Sequence, residues 1–275
     1  MKTIIVTGAN SGIGKEATRI LAGAGHRILM LCRDSTKSDQ AQKEIISQSG
    51  NENVVLIPID LSDQVSLRAA AARVESRYPS IDVLVNNAGL YKLKRCETKS
   101  GIEMTFAVNY LAPFMLSQLL LDNIRRSENG RIINVVSENY KSGEIDFDNL
   151  MLATGYKAGT AYANSKLALV MYTAELARRL SPEEMIVNAL HPGVLATDSF
   201  RDYPKYIMKV LNLFLENPQK GGERIAYLAE SNDVKGVTGK YFYKSEEREI
   251  KILPEDSAKN EQLWRITERL TGVEF

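Results

Sequence analysis

The sequence predicts an α/β fold in which a parallel sheet carries helices on both faces. Short apolar or β-branched runs alternate with amphipathic stretches of helical length, which is the pattern of buried parallel strands joined by crossover helices. The predicted strands are Thr3–Thr7, Arg27–Cys32, Val54–Ile59, Val83–Asn86, Arg131–Ser137 and Ile186–His191. The predicted helices are Ile13–Ala24, Asp39–Ser49, Val65–Arg77, Phe106–Ile124 and Tyr162–Leu180.

Length and composition favour a single domain over residues 1–275. The chain is 44% hydrophobic and 25% charged, which is typical of a globular protein, and no repeat or linker divides it. Residues 197–219 lack strand character and are predicted to form a lid-like insertion. A last strand region with a turn is expected at 238–252, and a closing helix at about 257–271.

Charge and cysteine content exclude several function classes. The chain has 35 Lys and Arg residues against 34 Asp and Glu residues, so no overall field favours nucleic acid. Its two cysteines form no disulfide framework, and no residue cluster has the spacing of metal ligands, so we expect no metal.

No signal peptide or transmembrane anchor is expected, so the prediction is a soluble protein, cytoplasmic or otherwise intracellular. The apolar stretch Val210–Leu215 leaves a peripheral membrane contact open.

Three glycines lie between the first predicted strand and the first helix, in the segment Thr7-Gly8-Ala9-Asn10-Ser11-Gly12-Ile13-Gly14. In this context glycines permit a tight turn and let a pyrophosphate approach the backbone, while the helix N-terminus offers unpaired N–H groups. We therefore expect a Rossmann-type doubly wound parallel sheet of about seven strands in the order 3-2-1-4-5-6-7. The predicted cofactor contacts in this loop are Gly8, Asn10, Ser11, Gly12, Ile13 and Gly14.

The end of the second strand bears on which dinucleotide is bound. A Rossmann fold usually places Asp or Glu there to hold the ribose 2′-hydroxyl of NAD, but this chain has Cys32 followed by Arg33. A guanidinium suits a 2′-phosphate, with which it forms paired charge-assisted hydrogen bonds. The sequence therefore favours NADP, as NADPH. Asp34 keeps NAD open as the less favoured alternative, and Arg33 could also be a solvated residue at a strand end.

Tyr162 and Lys166 are four residues apart on a predicted helix, so their side chains share one face. Such a pair is common on solvated helices. It indicates a functional site only when other motifs accompany it. The further motifs are Asn86-Asn87-Ala88-Gly89 after the fourth strand, Asn109, Ser137 at the end of the fifth strand, and Pro192-Gly193 after the sixth. Together with the glycine loop they resemble the short-chain dehydrogenase/reductase family over almost the whole chain, and most of all its retinol dehydrogenase branch.

This resemblance implies four catalytic residues. Tyr162 would be the general acid in carbonyl reduction and the base in alcohol oxidation, although an ordinary tyrosine pKa of ~10 suits neutral pH poorly. Lys166 would lower that pKa and bond the nicotinamide ribose. Ser137 would donate to the substrate oxygen, where negative charge grows as hydride arrives. Asn109 would hold a water that links Lys166 to solvent.

The resemblance also implies cofactor contacts outside the glycine loop. They are Arg33, Asp60 and Leu61 at the adenosine end, Asn86, Ala88 and Gly89 along the ribose, and Tyr162, Lys166, Pro192, Gly193 and Thr197 around the nicotinamide. Asp60 could equally be an acidic residue at a helix N-terminus. His191, which ends a strand just before Pro192, is expected to be structural.

The predicted function is NADPH-dependent hydride transfer between the nicotinamide cofactor and an apolar aldehyde or ketone, or the corresponding alcohol. Whether alcohol oxidation is the physiological direction depends on the cellular cofactor ratio and not on any residue. The alternative is a catalytically silent protein that senses nucleotides or binds partners on the same fold. Of macromolecular partners, nucleic acid is not expected, and the resemblance implies that a homodimer is possible.

Overall fold

An eight-stranded sheet forms the centre of the structure, a computed structural model that describes residues 1–193, 216–248 and 257–275. The strands are β1 (Thr3–Thr7), β2 (Arg27–Cys32), β3 (Val54–Pro58), β4 (Val83–Asn86), β5 (Gly130–Val135), β6 (Met185–His191), β7 (Tyr241–Tyr243) and β8 (Glu246–Arg248). Their order is β3-β2-β1-β4-β5-β6-β7-β8, and only β7 and β8 run antiparallel. The predicted fold class and the order of the first seven strands are confirmed.

The eighth strand is an addition to the prediction. It forms a hairpin with β7, and Lys244 in the connecting turn has a left-handed φ of 62°. All three residues of β8 are charged and exposed, so the strand carries no apolar pattern by which a sequence would reveal it.

Helices cover both faces of the sheet. They are α1 (Gly12–Gly23), α2 (Thr36–Ser49), α3 (Gln64–Arg77), α4 (Met104–Phe106), α5 (Ala112–Leu119), α6 (Leu121–Arg125), α7 (Ala158–Arg179), α8 (Pro218–Glu230) and α9 (Ser257–Thr271). One apolar core joins the sheet to α1, α2 and α8, and a second joins its other face to α3, α5, α7 and α9. The doubly wound arrangement therefore has two separate hydrophobic cores.

The helix predicted over Phe106–Ile124 is interrupted twice. A π-helical turn at Ala107–Leu111 separates α4 from α5, and α5 gives way to α6 at Leu120. π-Helical turns often occur at functional sites, and this one contains Asn109.

Helix α8 was not predicted, and it takes up the last two residues of the predicted lid, since it begins at Pro218. Its sequence contains Gly221-Gly222, which favours a loop over a helix. The helix packs against α1 so closely that a Cβ atom on Gly222 would lie 2.7 Å from the Ala17 nitrogen. Residues 197–215 of the predicted lid, which include Thr197 and Val210–Leu215, lie outside the described residues.

The last helix closes the second core through an aromatic cluster. Trp264 is buried, and its ring centroid lies 5.7 Å from that of Tyr172 and 5.2 Å from that of Phe114. The guanidinium of Arg179 lies over the indole, 4.1 Å from its centroid.

Among the helices of the described residues, none has both the length and the apolar character needed to cross a bilayer.

Candidate active site

A cleft of about 990 Å³ runs along the carboxyl ends of the parallel strands. In doubly wound folds this edge is where ligands bind, because the loops that follow the strands converge there. The predicted site residues that line the cleft are Gly8, Asn10, Ser11, Gly12, Ile13, Gly14, Arg33, Asp60, Leu61, Ala88, Gly89, Ser137, Tyr162, Lys166, Pro192 and Gly193.

The glycine loop is shaped by backbone requirements that side chains would violate. Gly8 and Gly12 have left-handed φ angles of 66° and 52°. A Cβ atom on Gly14 would lie 2.5 Å from the carbonyl oxygen of Gly8, so only glycine fits this contact. Helix α1 then starts with Ser11 as its N-cap, and the Ser11 side chain makes no capping hydrogen bond. The first N–H groups of α1 therefore remain available to bind an anion in the cleft.

Asn87, which was absent from the predicted contacts, fixes the glycine loop to the neighbouring strand. Its side-chain amide donates to the carbonyl oxygen of Thr7 at 2.9 Å. The Thr7 hydroxyl in turn accepts from the backbone N–H groups of Asn87 and Ala88, at 2.9 and 3.0 Å. These bonds connect the loop after β1 to the loop after β4.

Asn86 does not belong to the cleft, contrary to the prediction. It is 1% exposed and donates to Asn134 Oδ1 at 2.8 Å and to Ser117 Oγ at 3.2 Å. Asn134 donates onward to Thr173 Oγ1 at 2.9 Å, which makes a buried polar chain between the sheet and two helices. Because alternate side chains of a strand point to opposite faces, Asn86 at the end of β4 faces this core.

Arg33 lies exposed at the adenosine end of the cleft, next to a rigid turn. Its carbonyl oxygen accepts from Ser38 Oγ at 2.7 Å, and Ser38 Oγ accepts from Asn10 at 2.9 Å. Burial raises the pKa of the Cys32 thiol to about 11, so Cys32 brings no negative charge to this place. Lys37, which the sequence analysis missed, also lines the cleft here.

Two roles were open for Asp60, a cofactor contact and an acidic residue at a helix N-terminus, and the structure bears on both. Its side chain lines the cleft, while Oδ1 accepts from the backbone N–H of Ser62 at 2.9 Å and from Ser62 Oγ at 2.7 Å. The N-cap of α3 is Asp63, not Asp60. Leu61 lies beside it, with part of its side chain packed on the second core.

Tyr162, Ser137 and Lys166 meet where α7 crosses the end of β5. Ser137 and Tyr162 both line the cleft here. Burial raises the pKa of Tyr162 above its ordinary value, and the nearby Ser137 side chain opposes this rise. The Lys166 ammonium donates to the Val135 carbonyl oxygen at 2.9 Å and lies 5.7 Å from the centroid of the Tyr162 ring.

These electrostatics differ from the expectation that Lys166 lowers the pKa of Tyr162. Desolvation instead dominates at both groups, at the half-buried Tyr162 as well as at the buried Lys166: it raises the pKa of Tyr162 and lowers that of Lys166 to about 8. At neutral pH the tyrosine is therefore protonated and the lysine is mostly charged. This is the protonation state that a proton donor with a cationic neighbour requires.

Asn109 lies within the π-helical turn, and its whole side chain is engaged by the protein. Nδ2 donates to the Leu90 carbonyl oxygen and to Ser165 Oγ, both at 3.0 Å, while Oδ1 accepts from the Leu90 N–H at 2.8 Å. The side chain thus ties the loop after β4 to α7. Its predicted task of holding a water stays a prediction.

Three other cleft residues were not among the predicted catalytic or binding residues. The Tyr91 ring lies 5.4 Å from the Tyr162 ring, centroid to centroid. Glu138, which directly follows Ser137, accepts hydrogen bonds from Lys141 and Tyr241. His191 ends β6 beside Pro192. The sequence signal that could have indicated them is their position close to Gly89, Ser137 and Pro192, which carried the resemblance.

Within the described part of the chain, no group of three His, Cys, Asp or Glu residues could hold a metal ion.

Comparison with known proteins places this cleft in a family. The sequence profile of the short chain dehydrogenases matches residues 2–206. Retinol dehydrogenase 13 from Homo sapiens is 38% identical over 282 residues, which cover 99% of this chain and 85% of that protein. Retinol dehydrogenase 14 from Homo sapiens is 35% identical over 291 residues, covering 99% of this chain and 87% of that protein.

Solved structures agree in fold. A crystal structure of a protein from Mycobacterium paratuberculosis has a TM-score of 0.80 and 27% identity, and the match covers 100% of this chain and 95% of that one. A short chain dehydrogenase from Escherichia coli CFT073 complexed with NADPH has a TM-score of 0.71 and 25% identity, over 89% of this chain and 97% of that one.

The fold and these relatives together define an oxidoreductase that uses a nicotinamide nucleotide, NAD or NADP. The chain belongs to the short-chain dehydrogenase/reductase family. Its predicted resemblance to the retinol dehydrogenases is confirmed, and the catalytically silent alternative is not favoured.

Proposed function

We propose that the protein is an NADPH-dependent oxidoreductase that transfers hydride between the nicotinamide and an apolar aldehyde or ketone, or the corresponding alcohol. The observation that carries this proposal is that Tyr162, one helical turn from Lys166, lines the same cleft as Ser137 and the glycine loop. A proton donor, a hydrogen-bond donor and a cation then surround one place where a carbonyl oxygen fits.

The residues of the cleft fit a dinucleotide. The close contact of Gly14 with Gly8 leaves the backbone accessible to a pyrophosphate, and the uncapped N-terminus of α1 supplies N–H donors for it. Lys166 and the loop after β4 would hold the nicotinamide ribose: a Cβ atom on Gly89 would lie only 3.5 Å from Lys166 Nζ. The cofactor, when bound, supplies or accepts the hydride.

The adenosine end favours NADPH. Arg33 lies at the cleft, and Cys32 beside it is a neutral thiol and not the carboxylate that would bind a 2′-hydroxyl and repel a 2′-phosphate. Lys37 supplies a second cation in the cleft wall, near the N-terminus of α2. The related structure from Escherichia coli CFT073 is complexed with NADPH, which supports the same choice.

In the proposed reduction, Ser137 donates a hydrogen bond to the substrate oxygen and Tyr162 gives it a proton. The raised pKa of Tyr162 keeps the phenol protonated at neutral pH, so it is ready to act as an acid. The Lys166 ammonium favours the tyrosinate that is left behind, because opposite charges attract strongly where water is excluded. Alcohol oxidation uses the same groups in reverse, with Tyr162 as the base.

The proposed substrate is apolar because the cleft wall offers apolar side chains. They are Leu90, Tyr91, Met104, Val108 and Val136, and Tyr91 packs against the Tyr162 ring. Relatives named retinol dehydrogenases, at 33–38% identity, are consistent with an apolar alcohol or aldehyde. The substrate remains defined by class, since an apolar wall selects by shape and size and not by a single functional group.

The experiment that tests this proposal is an assay of NADPH oxidation with a panel of retinoid, steroid and small aldehydes and ketones. We expect turnover of at least one apolar carbonyl compound, faster with NADPH than with NADH at equal concentrations. Binding of NADPH without turnover of any compound in either direction would contradict the enzymatic proposal. Equal use of NADH would contradict the choice of cofactor.

A further inference from the structure

His191 is a buried polar side chain of the cleft wall to which the proposed reaction assigns no task. It ends β6, is 4% exposed and lines the cleft next to Pro192. Neither of its ring nitrogens has a hydrogen-bond partner among the residues that the structure describes. Its expected structural role accounts for the packing of the ring but not for the two ring nitrogens, because a buried donor or acceptor without a partner destabilises the fold.

The position of His191 in the sheet places it on the substrate side. It is paired in register with Tyr243 of β7, and the two rings lie 5.3 Å apart, centroid to centroid. On the other side β5 and β6 run parallel, with Val135 opposite Leu190, so Val136 follows opposite His191. Val136 belongs to the core that α7 covers, and α7 carries Tyr162. The glycine loop leads into α1 on the opposite face.

The imidazole is neutral at physiological pH. Burial lowers the pKa of His191 to about 4, although the Glu138 carboxylate and the nearby Val136 backbone, which does not reach hydrogen-bond geometry with either ring nitrogen, act in the opposite direction. A neutral imidazole has one donor and one acceptor nitrogen, so it can pair with a hydroxyl or a carbonyl without a counter-charge.

The reacting carbonyl oxygen is not the natural partner of His191. A carbonyl oxygen has two lone pairs, and the hydrogen bonds from Ser137 and Tyr162 would use both. The partner of His191 is therefore a second polar group. The ionised Glu138 nearby, whose pKa is lowered by Lys141 and Tyr241 against the effect of burial, favours a neutral group over a carboxylate.

We propose that His191 is a substrate-binding residue that hydrogen-bonds a second, neutral oxygen of the substrate, so that the enzyme prefers carbonyl compounds that also carry a hydroxyl group. This inference rests on the proposed function and narrows its substrate class. It adds one polar contact for the substrate to the apolar wall that the proposed function describes.

The test compares benzaldehyde with 3-hydroxybenzaldehyde and 4-hydroxybenzaldehyde. Calorimetric titration of each aldehyde into the enzyme loaded with NADP⁺ measures binding without turnover. We expect the wild type to bind at least one hydroxylated aldehyde about two- to tenfold more tightly than benzaldehyde, which is the effect of one neutral hydrogen bond. His191→Phe, which keeps a ring beside Tyr243, should abolish this preference and leave benzaldehyde binding unchanged.

Two further variants and a titration with NADPH show whether a loss of the preference is specific to the His191 imidazole. His191→Gln keeps a neutral donor and acceptor and should retain part of the preference. His26→Gln alters the only other histidine, which pairs with Glu230 away from the cleft, and should retain all of it. NADPH affinity, measured by fluorescence titration, should be the same in all three.

The inference is overturned if the wild type shows no preference for either hydroxylated aldehyde, a result that needs no variant to fold. It is also overturned if His191→Phe keeps the preference, or if this variant loses NADPH affinity tenfold, since His191 would then contact the cofactor. Failure of the proposed function is distinguishable, because it would show as no NADPH oxidation with any aldehyde, whatever their relative affinities.

Discussion

The ammonium of Lys166 donates to the carbonyl oxygen of Val135 at 2.9 Å, two residues before Ser137. This bond holds the middle of α7 against the end of β5. The ammonium is buried: Lys166 is 3% exposed, and burial lowers its pKa from 10.5 to about 8. Lys166 is therefore held in place at a cost in stability, which can be measured.

The first prediction concerns stability as a function of pH. Because the pKa of Lys166 is lower in the folded state, the unfolded chain binds more protons between pH 8 and 10.5, and the free energy of unfolding contributed by Lys166 rises with pH in that window. Relative to Lys166→Met, the wild type should gain roughly 1.5 kcal/mol between pH 8 and 9.5. Urea unfolding of both proteins without cofactor measures this difference. Parallel pH curves would mean that Lys166 is not buried as a cation.

The second prediction concerns the glycine loop. Gly14→Ala should weaken NADPH binding at least tenfold, because a Cβ atom at this position collides with the Gly8 carbonyl oxygen and displaces the loop. Gly23→Ala is the matched control: it lies at the end of the same helix, and a Cβ atom there meets nothing within 4 Å. Fluorescence titration of NADPH compares the two. Equal affinities would show that the loop does not contact the cofactor.

The third prediction concerns the choice of cofactor. Arg33→Ala should raise the Kd of NADPH roughly tenfold to a hundredfold, because a charge-assisted bond to the 2′-phosphate is lost, and should barely change that of NADH. Arg73→Ala, which removes an exposed arginine from α3 outside the cleft, should change neither. If Arg33→Ala weakens both cofactors alike, the guanidinium does not distinguish them.

The fourth prediction separates two adjacent asparagines. Asn86→Ala should lower the free energy of unfolding by ~1–3 kcal/mol, because it leaves the buried Asn134 oxygen without its donor, and should leave NADPH affinity intact. Asn87→Ala should weaken NADPH binding, because it removes the side-chain bond to the Thr7 carbonyl oxygen that joins the loop after β4 to the start of the glycine loop. Chemical unfolding and NADPH titration of both variants test this. A large loss of NADPH affinity in Asn86→Ala would restore its predicted place in the cleft.

The parts of the site that the sequence predicts are those with a local signature. Gly8, Gly12 and Gly14 follow a strand and open a helix, and Tyr162 and Lys166 share a helix face; both facts depend only on spacing along the chain. The buried strands have the same property, because each contains a short run of apolar residues. These elements and the order of the first seven strands therefore follow from the sequence.

The parts that the sequence did not predict depend on contacts between distant segments. Helix α8 contains two glycines that favour a loop, but packing against α1 needs a residue without a side chain at Gly222. The π-helical turn at Asn109 is held by bonds to Leu90 and Ser165, which no local pattern shows. Asn86 and Asn87 are neighbours with the same side chain, and only the packing of the sheet directs one to the core and the other to the loop.

The central claim is that Tyr162 is the proton donor of hydride transfer, and one measurement tests it most directly. Steady-state oxidation of NADPH with an aldehyde that the wild type reduces well should fall ~10²- to 10⁴-fold in Tyr162→Phe, because positioned acid catalysis is lost while the ring and its packing remain. The variant should bind NADPH as the wild type does, which shows that the site is intact. A Tyr162→Phe protein that keeps more than about a tenth of wild-type turnover would contradict the claim, since another group would then supply the proton.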